Sequence, residues 1–419
     1  GQINGAWVPH SPGSALKPFT YLLAFERGAS PGSIVADLPI EFRTATGTYK
    51  PEHYALRSFG PMTYRAALGN SLNISAVRVL DSIGGAETLL AKLQELGLST
   101  LTEPAEHYGL GLTIGNAPVR LLELTNTYAT LARLGLHKPW RLQNTPSNEQ
   151  RLLPEKECYL IADILSDNQA REMAFGAHSP LRLPFRCAAK TGTSTSFRDN
   201  WTLGFTAAFT VGVWVGNFDN TPMQDVSGVT GAGPIFRGVM LHLHEHRDAT
   251  WPAQPAGIVR ARIDPRTGHR LTPQAPPSRL SREELFIEGK LPPPASEADY
   301  DSRGRAMLPR EYATWVASRE NWLGDLVTVA TEEARPQLRI INPIAGTVIR
   351  LDPDIPGGGA RLLLQAEGTR EPRWTSPTLE IRVEGSHPIA HLKPGRHDIQ
   401  VEDPATGQKQ RTFVIVHAE

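Results

Sequence analysis

Cysteine is scarce in this sequence. Only Cys158 and Cys187 occur in 419 residues. Two are too few for a disulfide framework or for a zinc site built on cysteine alone. The pair could bridge in an oxidising compartment, or stand as two buried thiols. Net charge is missing as well, because 43 Lys and Arg face 43 Asp and Glu. Nothing therefore argues for an electrostatic grip on nucleic acid or on an anionic lipid surface. No apolar run reaches the roughly 18 residues that read as a membrane-crossing helix. There is no basic-then-apolar signal segment at Gly1 and no opening Met. With a reactive-looking motif so close behind Gly1, the chain is expected to be a processed or trimmed product with something missing upstream.

Composition is that of an ordinary globular chain, with length for two or three domains. Helical spacing appears over Phe19–Arg27, over Thr63–Ile83 with a break at Gly69–Asn73, and over Ala86–Leu96, Pro118–Leu134 and Cys158–Leu165. The character then changes. Cys187–Thr193, Trp201–Ala207 and Phe209–Asn217 read as strands, and Pro234–His244 as a closing helix. Helices followed by a strand meander predict an α+β domain over residues 1–248, with helices packed on an antiparallel sheet. Prolines crowd residues 249–335, which read as an irregular connector with one helix over Pro309–Leu323. Residues 336–419 hold short alternating runs between Pro/Gly turns, and predict a small β-sandwich of about seven strands.

Three short motifs occur in order. Ser14-Ala15-Leu16-Lys17 follows a Pro12-Gly13 turn and opens a helix, so its hydroxyl and amine share one face. Such a pair can act as nucleophile and base if the amine is neutral when it acts. Alone it also reads as a helix start followed by a surface lysine. Ser71-Leu72-Asn73 falls in a break between helices, and alone reads as a cap for the next one. Lys190-Thr191-Gly192-Thr193-Ser194 lies on a predicted strand, and alone reads as an exposed strand end. The ordered trio, each on the right kind of element, points to a serine acyltransferase site.

The trio resembles the penicillin-binding protein and serine β-lactamase superfamily, and more closely the class A penicillin-binding proteins of the 1C type. The likeness extends through Ala67–Leu80, Leu121–Ala129, Phe197–Trp201 and Trp214–Asn217 to the C-terminal part. It implies a penicillin-binding transpeptidase fold with its N-terminal strands missing, followed by an immunoglobulin-like sandwich. It implies that Ser14 attacks the penultimate D-alanine of a peptidoglycan stem peptide and that Lys17 takes its proton. Ser71 relays a proton to the departing D-alanine, and Asn73 binds the donor backbone. Lys190, helped by Thr191, Gly192, Thr193 and Ser194, holds the terminal carboxylate. The N–H groups of Ser14 and Thr193 form the oxyanion hole. An acceptor amine from a second stem peptide completes the cross-link, and a β-lactam acylates Ser14 in the donor's place.

The same resemblance implies no cofactor and no metal. It places the protein on the periplasmic side of the bacterial inner membrane, reached only through an absent upstream anchor. A glycosyltransferase part would also lie upstream. Cell-wall synthesis proteins are the expected partners of the C-terminal domain. With strands absent, the chain alone is expected to be unstable or poorly active. The alternatives are a D,D-carboxypeptidase, a serine β-lactamase, and a non-catalytic sensor of β-lactam or peptidoglycan.

Other features have plainer readings. His242 and His246 are spaced as metal ligands but read as the polar end of a helix. Glu123, the one candidate for a deacylating carboxylate, reads as structural. Trp201 and Trp214 read as strand core, and Gly357-Gly358-Gly359 as a turn rather than a phosphate loop.

Overall fold

A run that is apolar on every side must be buried on every side. Lys17–Glu26 (α1) is such a helix, with every residue from Lys17 to Phe25 buried. The computed structural model describes residues 3–44, 47–51, 53, 57–143, 148–224, 226–330, 338–343, 346–351, 360–369, 371–384 and 387–418. The chain divides into two compact units, Gly1–Val329 and Ala330–Glu419.

In the first unit a strand Ile34–Asp37 (β1) pairs antiparallel with Gly60–Thr63 (β2). Two helices follow, Tyr64–Gly69 (α2) and Asn73–Ser82 (α3). Thr63 caps α2, its hydroxyl accepting the Ala66 N–H. Gly85–Glu95 (α4), Leu121–Ala132 (α5) and Glu155–Ser166 (α6) complete the helical layer around α1. The helix expected from Pro118 starts at Leu121. Val119 and Arg120 are extended and pair with Pro9 and His10 instead.

The sheet consists of Ala188–Thr193 (β3), Asp199–Phe205 (β4) and Thr210–Gly216 (β5), antiparallel in the order β5-β4-β3. β4 is buried along its whole length. Its period of two sends Trp201, Leu203 and Phe205 into the core that holds α1 and α5. Ala232–Leu243 (α7) covers the other face through Phe236 and Met240, which cluster with Cys187 and Ala189. This is the α+β layering that the sequence predicts.

Residues 249–329, expected as irregular connector, belong to the first unit. Ile258–Ile263 (β6) and Arg282–Ile287 (β7) form a regular hairpin, and Ile258, Leu285 and Ile287 enter the main core. Arg65 of α2 ties the hairpin down. Its Nε and Nη2 donate to the two carboxylate oxygens of buried Glu284 at 2.7 and 2.6 Å, and Nη2 also donates to Asp163 at 2.6 Å. The expected helix over Pro309–Leu323 shrinks to single turns, Arg310–Tyr312 and Ala313–Val316. Beyond them Ser318 and Asn321 bond to nearby backbone and so compete with helix.

The second unit holds nine strands among its described residues: Arg339–Asn342 (β8), Thr347–Leu351 (β9), Arg361–Leu363 (β10), Gln365–Glu367 (β11), Arg373–Thr375 (β12), Glu380–Glu384 (β13), His387–His391 (β14), Gly395–Glu402 (β15) and Lys409–Ala418 (β16). They form sheets in the orders β9-β16-β15-β12, β10-β14-β13 and β8-β11. Trp374, Ala390, Ile399, Val401, Val414 and Val416 are in its own core. β14 escapes a sequence reading because Pro388 and two histidines hide its alternation. Gly357–Gly359 lie outside the described residues.

Candidate active site

The nucleophile turn is built by close backbone approach. Gly13–Leu16 is a turn of 3-10 helix that runs into α1 at Lys17, with Pro18 tolerated in the first α-helical turn. The turn packs against β3 so tightly that a Cβ on Gly192 would strike the Pro12 carbonyl, and one on Gly13 the Thr193 backbone. Gly13 has φ +53°, in the left-handed region that glycine enters freely. Hydrogen bonds bracket Ser14 on both sides. The Trp201 indole donates to the Ser11 carbonyl at 2.7 Å, and the Tyr128 hydroxyl to the Ala15 carbonyl at 2.7 Å. Trp201 is thus strand core, as expected, and an anchor of the turn besides.

Lys17, Ser71, Asn73 and Lys190 meet in one hydrogen-bonded set. Lys17 Nζ donates to the Ser71 carbonyl at 2.5 Å, to Asn73 Oδ1 at 2.7 Å and to Ser71 Oγ at 3.5 Å. Lys190 Nζ donates to Ser71 Oγ at 2.8 Å and to the Thr191 carbonyl at 2.7 Å. The Ser71 hydroxyl therefore lies between two amines from opposite layers of the fold. Ser71 has φ +59°, a conformation a non-glycine residue holds only where its surroundings impose it. The capping reading of this loop does not apply, since α3 has no side-chain cap and Asn73 gives its Oδ1 to Lys17. Among the described residues, Lys17 makes no hydrogen bond to Ser14.

Both amines are fully buried, and burial disfavours their charged forms. Lys17 is held well below the ordinary lysine range by desolvation, then by the charge of Lys190, with Asp37 opposing. Lys190 is lowered from 10.5 to about 7, by desolvation and then by Arg171. Arg171 is itself buried. Its Nη2 donates to the Leu165 carbonyl at 2.9 Å, and among the described residues its Nη1 makes no hydrogen bond. Arg171, Lys190 and Thr191 line one small cavity of about 10 Å³. A far larger cleft, about 830 Å³, is lined by Arg65, Asp163, Arg186, Arg282 and Glu284. Arg65 pairs there with Asp163 and Glu284, Arg186 with Asp163 and Arg282 with Asp167, and none of the motif residues lines this cleft.

The rest of the third motif divides. The Thr193 hydroxyl accepts the Gly228 N–H at 2.9 Å, which leaves its proton free to donate. Thr191 is buried beside Lys190. Ser194 is engaged with Asp199, donating to Oδ2 at 2.8 Å and accepting the Asp199 N–H at 2.9 Å. Burial opposes the charge of Asp199, but hydrogen bonds from His10, Trp214 and Ser194 outweigh it and hold the carboxyl below its usual range.

The plainer readings also resolve. Glu123 accepts from the Ser99 N–H and hydroxyl and from Arg120, apart from the motif residues. His242 pairs with Glu245 in solvent, and α7 ends at Leu243, before His246. No group of three or more metal-ligating side chains occurs among the described residues. Cys158 and Cys187 are buried free thiols, with burial raising both and pushing Cys187 up to about 12. Sequence reading misses Tyr128, Arg171, Asp37 and His53, because no spacing links them to the motifs.

A Ser-x-x-Lys turn docked on the Lys-Thr-Gly strand, with a Ser-x-Asn loop between their amines, defines the class of the penicillin-recognising transpeptidase folds. The family model described as the penicillin binding protein transpeptidase domain matches residues 4–241, and the chain belongs to that family. It is similar to penicillin-binding protein 1C of Escherichia coli, with 34% identity over 257 residues that cover 61% of this chain and 32% of that one. The chain thus spans about a third of the length of the curated relatives it matches. The crystal structure of penicillin-binding protein 1A from Haemophilus influenzae shares its fold, with TM-score 0.59 and 22% identity, covering 70% of this chain and 50% of that one. So does PonA1 from Mycobacterium tuberculosis in complex with penicillin V, with TM-score 0.51 and 21% identity, covering 60% and 74%.

Proposed function

We propose that this chain is a serine-type D,D-transpeptidase that cross-links peptidoglycan on the periplasmic side of the bacterial inner membrane. The observation that carries the reading is the Ser71 hydroxyl held between the amines of Lys17 and Lys190. Two depressed amines on one hydroxyl make a proton path that can run either way.

Ser14 Oγ attacks the carbonyl carbon of the penultimate D-alanine, and neutral Lys17 takes the hydroxyl proton. Its hydrogen bonds to Ser71 and Asn73 do not forbid this, since such contacts are often rearranged when substrate binds. The N–H groups of Ser14 and Thr193 stabilise the oxyanion. The C–N bond breaks as Ser71 gives its proton to the leaving amine and recovers one from the lysines. Lys190 and the Thr191 and Thr193 hydroxyls hold the terminal carboxylate. An acceptor amine then attacks the acyl carbonyl carbon, the ester bond to Ser14 Oγ breaks, and the proton the amine gives up returns to Oγ through Lys17. A β-lactam enters as the donor does and leaves Ser14 acylated. The second unit reads as an immunoglobulin-like sandwich that serves as a spacer or interaction module.

Mass spectrometry after incubation with penicillin tests this. The expected result is one adduct on Ser14, formed slowly as a poorly active chain would form it, that is lost in Ser14→Ala. An adduct elsewhere, an undiminished adduct in Ser14→Ala, or no adduct on the folded chain would overturn the reading.

A further inference from the structure

Behind the Ser-x-Asn loop lies a buried imidazole–carboxylate pair outside all three motifs. His53 is 6% exposed and Asp37, at the end of β1, is 0% exposed. The two meet at 2.6 Å through His53 Nε2 and Asp37 Oδ1. On its other side the ring faces the motif, because the Asn73 N–H donates to His53 Nδ1 at 3.1 Å. An acceptor at Nδ1 requires a lone pair there, so the proton sits on Nε2 and is donated to Asp37. Asp37 is pinned in turn. It accepts the Phe59 N–H at 3.1 Å on Oδ1 and the Ser75 hydroxyl at 2.5 Å on Oδ2.

We propose that His53 and Asp37 are a positioning pair for the transpeptidation site, clamping Asn73 and the Ser71 loop against Lys17. This rests on the reading of the site given above. The groups form one chain: Asp37 orients His53, His53 accepts from the Asn73 backbone, and Asn73 Oδ1 accepts from Lys17 at 2.7 Å. The loop needs an external clamp. Ser71 holds a positive φ, and α3 opens without a side-chain cap. The first N–H of α3 is satisfied by an imidazole instead, and Ser75 in its first turn is tied to the same carboxylate. A satisfied core histidine could spend its Nδ1 acceptor on any buried N–H. This one spends its acceptor on the residue that binds the catalytic lysine, two places past Ser71.

The test is rapid-mixing acylation of the whole 419-residue chain by a fluorescent penicillin. Varying its concentration separates the binding constant from the acylation rate constant of the folded fraction. His53→Phe keeps the bulk and removes both hydrogen bonds. It is expected to lower the saturating rate constant by about ten- to a hundredfold, the scale of an ångström of misplacement. His53→Gln supplies an acceptor and a donor again and is expected to recover most of the rate. An unchanged rate constant in His53→Phe, with only a smaller labelled fraction, would mean the pair serves stability alone and the proposal is wrong. Failure of His53→Gln to recover any rate would overturn it too. If His53→Phe does not fold, Asp37→Ala decides, since it removes the acceptor that orients His53, with the same drop expected and a wild-type rate constant refuting. An adduct that survives in Ser14→Ala would instead sink the underlying site reading and leave the hydrogen-bonded chain untouched.

Discussion

A lysine is useful as a base only if something keeps it neutral, and here desolvation does most of that work. Lys190 is fully buried and stands at about 7, with Arg171 as the second cause. The sign of the consequence follows from proton counting. Between about 7 and its unfolded value of 10.5, the unfolded chain binds a proton at Lys190 that the folded chain does not. Stability should therefore rise with pH from 7 upward, with Lys17 adding in the same direction. Arg171→Met removes the buried cation behind Lys190, so the Lys190 pKa should rise and the gain in stability from pH 6.5 to 8.5 should shrink. Urea-unfolding midpoints at the two pH values check this. A wild-type midpoint that is flat or falls over that range would contradict the buried neutral lysine.

Elements matter here through how closely they approach. The nucleophile turn and β3 touch backbone to backbone, which a side chain at Gly192 would prevent. Gly192→Ala places a methyl against the Pro12 carbonyl and the Trp201 Cβ. Backbone cannot swing aside as a side chain can, so the cost should be about 1–3 kcal/mol. The turn would also retreat from Thr193, and acylation of Ser14 should slow with it. Thermal melting and penicillin labelling together read both effects, and undiminished labelling would refute the close-approach argument. The same contact explains why a glycine stands between Thr191 and Thr193 at all: it is set by the neighbouring turn, not by the strand it sits in.

At the scale of the molecule, the hairpin β6–β7 is fastened to the helical layer by its apolar residues in the main core and by a buried ion-pair network centred on Arg65. Arg65 serves Glu284 bidentately and reaches Asp163 and Asp167 besides. Arg65→Met would leave Glu284 buried and uncompensated, and breaking a buried pair from one side costs about 3–5 kcal/mol. Denaturant unfolding should show a loss of that order, and a change below about 1 kcal/mol would mean the network is no more than a surface pair. Double replacement of Arg65 and Glu284 by apolar residues should recover much of the loss, because no charge is then stranded. Residues 249–329 join the first unit although their prolines read as a connector, because this network acts together with Ile258, Leu285 and Ile287 in the main core and with Trp315 clustered with Leu38.

The sequence by itself determined the order of the motifs, the helices-then-strands layout and the β-rich texture after Pro336. Each is written in local chemistry: apolar spacing along α1, alternation along β5, a proline–glycine turn before Ser14. It could not say that Val119 and Arg120 would pair with Pro9 and His10 rather than start a helix, nor that Ser318 and Asn321 would end one early. Tertiary structure alone decided which charges meet. Asp37, His53 and Arg171 have no spacing that ties them to Ser71 or Lys190, and they reach the site only when β1, α3 and the segment after α6 are packed around it. Burial is likewise a property of the whole fold. Ser-x-x-Lys names a hydroxyl and an amine, but only the surrounding core strips Lys17 of water and depresses it. Local pattern survives in sequence because it depends on neighbours along the chain. Electrostatics does not, because it depends on neighbours in space.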